Sequence, residues 1–448
     1  MNVFDADKIY FLGIGGIGMS ALARYFHLKG KVVEGYDRAS SVVTRALEEL
    51  GIKVFYELDA KRIEEQEVVV YTPAIKPDNA EHAAALEANI PMFKRSQVLG
   101  QISQNYKTIA VAGTHGKTTT STMMTHVLRS AGLDVTAFLG GISLNLNSNF
   151  VYGESEWLVV EADEYDRSFL TLKPEWAIVT SLDPDHLDIY GTAEEMKDTY
   201  RTFSHQANHV LAHAATADFD WKREVESYGP VGTYKAGNLR PDRLHTLFDF
   251  ASREGEINNI SLPMPGYHNV SNMTAALSIG VKLGLNLQQL KKGVESFQGI
   301  YRRFEVQYHA DQITFVDDYA HHPSEIEAVI STARHLFPER KLIVVFQPHL
   351  FTRTRDFQQG FAQELSKADA CLLLDIYPAR EKPIAGVTSQ ALLNDMTLVN
   401  KQLVQKNELP MAIGEQINRS SILLTLGAGD IDREVPKVKD WILQEYGE

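Results

Sequence analysis

Short runs of β-branched and aromatic residues alternate along this chain with segments whose apolar residues recur at helical spacing. KIYFL, VVEGYD, IKVFY and EVVVYTPA are the first such runs. Apolar runs of this kind, alternating with helical segments, predict parallel sheets buried on both faces. The polar stretch SQNYKT interrupts the pattern before TIAVAG restarts it, which places a boundary near residue 105. WLVVEAD and WAIVTSL continue the second unit. The region 210–260 is polar and irregular, and leaves room for an antiparallel excursion. A loop, LPMPGYHN, and an alanine-rich helical segment, VSNMTAALSIGVKLG, come next. After FQGIYRRF a third unit runs through ITFVDDY, KLIVVFQ, ACLLLDIY and SILLTLGAG. The fold class expected is α/β, three consecutive domains at 1–104, 105–300 and 301–448, a number that 448 residues also supports.

Composition narrows the setting rather than the fold. With 44% hydrophobic and 23% charged residues the chain reads as an ordinary soluble globular protein. No apolar run approaches the roughly 18–20 residues that span a bilayer, so no membrane insertion is expected. The start, MNVFDADKIYFLG, lacks the basic and apolar regions of a secretory signal. Cys371 is the single cysteine, which excludes an intrachain disulfide and a cysteine-rich metal site. These readings point to the cytoplasm. A net charge of −14 argues against nucleic acid as a partner, because phosphate backbones require a basic face. Nucleotides remain open to it, since a few local groups and backbone N–H donors hold them.

Two glycine loops carry the chemistry. Gly113-Thr114-His115-Gly116-Lys117-Thr118-Thr119 stands between the strand TIAVA and the helical segment STMMTHVLRSAG. A strand–loop–helix of this kind leaves backbone N–H groups free to cradle an anion. Lys117 adds charge for β- and γ-phosphates, and Thr118 offers a hydroxyl to Mg²⁺. The loop is shorter than the usual phosphate loop, with Val111 where a first glycine would stand. The other loop is Gly13-Ile14-Gly15-Gly16-Ile17-Gly18, after KIYFL, with Asp37 at the end of the next strand. That is the dinucleotide fingerprint with its ribose carboxylate, but the same physics suits any diphosphate joined to a sugar. A nicotinamide enzyme has no use for Lys117 and Thr118, and a simple kinase none for a complete first fingerprint. A ligase joining a UDP-linked carboxylate to an amine at the expense of ATP uses both.

At this point the residues resemble the Mur ligase family along nearly the whole chain. Thr72-Pro73-Ala74-Ile75 is similar to its second substrate-loop segment, and Gly113–Thr119 to its ATP loop. Glu161-Ala162-Asp163-Glu164, Asp185-His186, His268-Asn269 with Asn272, Arg302-Arg303, Asp317-Asp318 with His321, and Gln347-Pro348-His349 follow in the family's order. The resemblance implies an N-terminal Rossmann-like domain, a central P-loop ATPase-like domain and a C-terminal Rossmann-like domain. The run Gln347–Arg355 and the ending Leu426–Asp430 look like the alanine-adding members. UDP-N-acetylmuramate, ATP and L-alanine are the substrates this implies, with Mg²⁺ or Mn²⁺ as the metal. The alternative within the family is its tripeptide-recycling member. The oligomeric state expected is a monomer or a homodimer.

Carried over residue by residue, the resemblance makes Lys117, Glu161, His186 and Arg303 catalytic. Thr118, Glu161 and His186 are implied for metal. Gly113 to Thr119, Asn269, Asn272, Arg303 and Asp318 are implied for ATP, the asparagines for adenine. Gly13, Gly15, Gly16, Gly18, Asp37, Thr72 and Ala74 are implied for the UDP-sugar. Tyr319, His321 and Arg353 are implied for the amino acid, where an arginine fork suits a carboxylate. Asp163, Glu164 and Asp166 crowd Glu161, either supporting the metal or simply solvated. Three departures stand out. Ser181 replaces a frequent asparagine, Leu350 a frequent second arginine, and no clear counterpart exists for the carbamylated lysine of some members, Lys197 and Arg201 being the nearest basic residues. The rivals from other classes are a nicotinamide-dependent oxidoreductase and a non-catalytic nucleotide sensor.

Overall fold

A computed structural model of the chain describes residues 2–183, 190–379, 381–417 and 420–447. The first sheet has the order β3-β2-β1-β4-β5, all parallel. Its strands are β1 (Lys8–Leu12), β2 (Val32–Tyr36), β3 (Lys53–Phe55), β4 (Val68–Tyr71) and β5 (Met92–Lys94). In this order the chain moves from β1 to one side and later to the other, so a cleft opens at the strand ends between β1 and β4.

The second sheet has β6 (Lys107–Ala112) near its centre, between β9 (Trp157–Glu161) and β10 (Trp176–Val179). β7 (Thr136–Ser143) and β8 (Ser148–Val151) close one edge; β11 (His209–His213) and β12 (Glu226–Tyr228) close the other. β6 is buried at every position but its first, as a central parallel strand covered on both faces must be. A three-stranded sheet follows: β13 (Lys235–Asp242), β14 (His245–Ser252) and β15 (Gly255–Leu262). Two-residue connections permit only antiparallel pairing, so this is the excursion the polar region allowed. Thr246, Phe248 and Phe250 alternate inward along β14, with the half-buried Leu247 and Asp249 between them.

The last sheet runs β16-β17-β21-β18-β19-β20. β16 (Glu305–His309) is antiparallel to β17 (Ile313–Asp318). The others, β18 (Lys341–Phe346), β19 (Ala370–Leu373), β20 (Lys401–Leu403) and β21 (Ser421–Leu426), are parallel. Apolar clusters cover both faces of this sheet, one built around Phe346 and Phe361, the other around Phe315 and Ile442. The chain divides into two compact units, with the passage between Gln298 and Gly299; short segments at 241–246 and 264–268 also belong to the second. Among the described residues no helix is long and apolar enough to cross a membrane.

Candidate active site

In the first unit, the loop Gly113–Gly116 joins β6 to the helix Lys117–Ser130. Gly116, at the helix N-cap, sits at φ +80°, a conformation glycine adopts without strain. Side chains from the end of β10 hold the loop. Ser181 Oγ accepts from His115 N at 2.9 Å, and Thr180 Oγ donates to the His115 carbonyl. Thr114 Oγ in turn donates to the Asp183 carbonyl at 2.7 Å. The substitution of serine at 181 therefore leaves a side chain that still clasps the loop.

Lys117 Nζ donates to Gly113 O at 2.7 Å, to Thr114 O at 3.2 Å and to Glu164 Oε1 at 2.8 Å. Burial works against its charge, but Glu164, Glu161 and Asp163 outweigh that, and its pKa lies above the ordinary lysine value. Burial also raises the Glu164 carboxyl, to about 7, against the pull of Lys117. Glu164 is thus the buried counter-ion of Lys117, a role its place in the EADE run did not reveal.

Glu161 ends β9 beside the loop strand, in register with Val111. Its Oε2 is buried and has no hydrogen-bond partner among the described residues. Gly140 on β7 lies against that carboxylate, and a Cβ there would fall 2.1 Å from Oε2. The Thr118 hydroxyl, at the head of the helix, likewise makes no hydrogen bond among the described residues. An unpartnered carboxylate oxygen and a free hydroxyl are the donors a hard divalent cation takes, so the residues present fit Mg²⁺. Among the described residues no three His, Cys, Asp or Glu side chains cluster as a metal site. His186 lies outside them.

Asn269 and Asn272 are both buried in the helix Tyr267–Lys282. Asn272 Oδ1 accepts from Thr120 Oγ at 3.1 Å and lies under Gly116.

The first glycine loop lies at the switch point of its sheet. Gly13 N and Ile14 N donate to Tyr36 O, and Gly15 N donates to Asp37 Oδ2 at 2.8 Å. Asp37 is thus brought to the loop. Thr72, at the end of β4, packs against Gly13, and the Thr72 carbonyl turns the chain by accepting from Ile75 N. Ala74 is exposed within that turn. Gly16 caps the helix Ile17–Leu28, with Gly18 in its first turn.

In the second unit, Asp317 and Asp318 end β17. Asp317 binds Arg302 Nε at 2.9 Å and accepts from Thr425 Oγ at 2.6 Å, all of them buried. Arg302 also donates to the Gly427 carbonyl at 2.6 Å. Asp318 accepts from Phe304 N and Ala320 N, and burial lifts its carboxyl to about 6 despite Arg303. These contacts hold the turn that presents Arg303, which stacks on the Tyr319 ring at 5.3 Å and faces Glu325 at 4.0 Å.

His321 Nδ1 lies 3.0 Å from the Tyr319 carbonyl and 3.2 Å from Glu325 Oε2. Both neighbours accept, so Nδ1 carries the proton and Nε2 presents a lone pair. Burial lowers its pKa to about 4 against Glu325, with Arg353 and Arg303 adding to the fall, which also brings Arg353 within electrostatic reach. The Arg353 guanidinium has no hydrogen-bond partner among the described residues. Arg353 lies on the short helix Phe351–Asp356 behind Leu350, whose φ of +70° is strained for a side-chain-bearing residue. No local pattern in the sequence marks Glu325, Arg302 or Asp317 as partners. The doublets Arg302-Arg303 and Asp317-Asp318 were visible, but not that one member of each faces inward.

Three family descriptions match in order: "Mur ligase family, catalytic domain" over 8–107, "Mur ligase middle domain" over 111–280, and "Mur ligase, glutamate ligase domain" over 302–429. A Flavobacterium johnsoniae protein named UDP-N-acetylmuramate–L-alanine ligase is 43% identical over 444 residues, covering 98% of each chain. The crystal structure of the Thermotoga maritima UDP-N-acetylmuramate-alanine ligase is similar, with a TM-score of 0.85 and 28% identity over 98% of this chain and 99% of that one. A murein peptide ligase from Psychrobacter arcticus shares the fold, with a TM-score of 0.73 and 22% identity over 97% and 98%. With the family's three domains matched in order and a relative at 43% identity from end to end, this chain belongs to the Mur ligase family.

Proposed function

We propose that this protein joins L-alanine to the carboxylate of UDP-N-acetylmuramate, driven by ATP, in the cytoplasm. The observation that carries the reading is the phosphate loop, where Lys117 is poised among loop carbonyls and Glu164 beside an unpartnered Glu161 oxygen. Phosphoryl transfer from ATP to the sugar carboxylate gives an acyl phosphate and ADP. The uncharged amine of alanine adds to that carbonyl, and the tetrahedral intermediate collapses with loss of phosphate.

Lys117 turns from Glu164 and the loop carbonyls to the β- and γ-phosphates, where its charge counters what develops during transfer. Glu161, Thr118 and His186 would hold Mg²⁺, which when bound screens the phosphate oxygens from the approaching carboxylate. Asn269 and Asn272 are assigned to the adenine side of ATP, Arg303 to its phosphates and Asp318 to its ribose. The first loop, with Gly13, Gly15, Gly16, Gly18, Asp37, Thr72 and Ala74, receives the UDP-sugar. Tyr319, His321 and Arg353 receive alanine. A neutral His321 with its lone pair at Nε2 accepts from an amine N–H, which leaves the alanine carboxylate to the guanidinium fork of Arg353.

The test is phosphate release with UDP-N-acetylmuramate and ATP across L-alanine, glycine, L-serine and the recycled tripeptide. L-Alanine should give the highest kcat/KM. Preference for the tripeptide would move the protein to the recycling branch of the family.

A further inference from the structure

We propose that Arg95 is a diphosphate-binding residue of the UDP-sugar site, an inference that rests on reading Gly13–Gly18 as the UDP-sugar loop. Arg95 follows β5 and opens the helix Arg95–Ser103. Its guanidinium lies on the first turn of the helix Ile17–Leu28. A Cβ at Gly18 would stand 2.6 Å from Arg95 Nη1 and 2.9 Å from its Cδ. That accounts for glycine at position 18: any side chain there would displace a cation from the loop.

That placement is unfavourable in the protein alone. A helix N-terminus carries partial positive charge and unfilled N–H donors, and prefers an anion to a guanidinium. Here the N-cap, Gly16, provides no side-chain acceptor, and the first turn holds no acidic residue. Asp37 takes the amide of Gly15, one position before the cap. Arg95 Nη2 donates to Asp163 at 3.1 Å, and Nη1 has no hydrogen-bond partner among the described residues. A diphosphate on the loop would meet the helix end and the spare guanidinium donors together, and would turn an electrostatic cost into a charge-assisted contact.

The competing explanation is a clasp. The preceding residue, Lys94, pairs with Asp166 at 2.8 Å, so two consecutive cations grip the acidic run that begins at Glu161. The two explanations part in binding. Calorimetric titration of the full chain with UDP and with uridine is the measurement, on the wild type, Arg95→Gln, Arg95→Lys and Lys94→Gln. Arg95→Gln should weaken UDP roughly 10- to 100-fold, the range of a lost charge-assisted hydrogen bond, and leave uridine within about two-fold. Arg95→Lys should recover part of the loss, and Lys94→Gln should bind UDP within about two-fold of wild type. Arg95→Gln binding UDP as wild type does, equal losses for UDP and uridine, or an equal loss in Lys94→Gln would each overturn the inference alone. A wild-type protein that does not bind UDP would overturn the reading of the loop itself.

Discussion

At the scale of single residues, two charged side chains separate the chemistry from its bland alternatives. Lys117 is held by Glu164 and two carbonyls, contacts that could serve structure alone. If it instead serves phosphoryl transfer, Lys117→Ala should lower kcat by ~10²–10³, while thermal unfolding shows the chain still folded. A kcat within a few-fold of wild type would remove Gly113–Thr119 from the ATP site. The Arg353 guanidinium makes no hydrogen bond among the described residues, as befits a group awaiting a ligand. Arg353→Ala should raise the KM for L-alanine strongly, by about 2–5 kcal/mol in binding terms, and leave the KM for UDP-N-acetylmuramate nearly flat. Arg353→Lys should recover only part, because an ammonium cannot offer the planar fork. A shift in the ATP KM instead would end the amino-acid assignment.

His321 gives this pocket a pH signature. Burial keeps its folded pKa near 4, whereas in the unfolded chain it protonates around 6.5. Between those values the unfolded state binds more protons, so stability falls as pH drops through the window. From pH 7.5 to 5 the cost approaches about 2 kcal/mol. His321→Gln removes that term, so the Tm gap between variant and wild type should differ between the two pH values, closing toward pH 5. A constant gap would mean that His321 is solvated.

At the scale of elements, the sequence made the strands and both glycine loops legible, because apolar runs and glycine spacing are local properties. It did not make legible what faces what. Ser181 and Glu161 flank the phosphate loop only because β10 and β9 lie on either side of β6, and no spacing encodes that order. The departure at Ser181 leaves a contact from that side chain in doubt, and the residue clasps the loop; Glu164, which the sequence also allows to be solvated, is buried. The Arg302–Asp317 pair is the clearest such case. It ties the turn before β16 to β17 and to the Gly427–Gly429 loop after β21. Removing one partner of a buried pair strands the other, at a cost of ~3–5 kcal/mol. Arg302→Met should therefore destabilise strongly in denaturant titration. The double variant Arg302→Met with Asp317→Leu should recover much of the loss, and a double-variant loss equal to the sum of the two single-variant losses would show that the pair is not coupled.

At the scale of the whole molecule, the account is that one chain carries a phosphate loop for ATP and a glycine loop for a UDP-linked acid, so that the energy of one is spent on the carboxylate of the other. Activation through an acyl phosphate makes a prediction about atoms. UDP-N-acetylmuramate labelled with ¹⁸O in its carboxylate, incubated with ATP, Mg²⁺ and L-alanine, should yield ADP and inorganic phosphate that carries one ¹⁸O per turnover. Unlabelled phosphate, or AMP and pyrophosphate among the products, would contradict it.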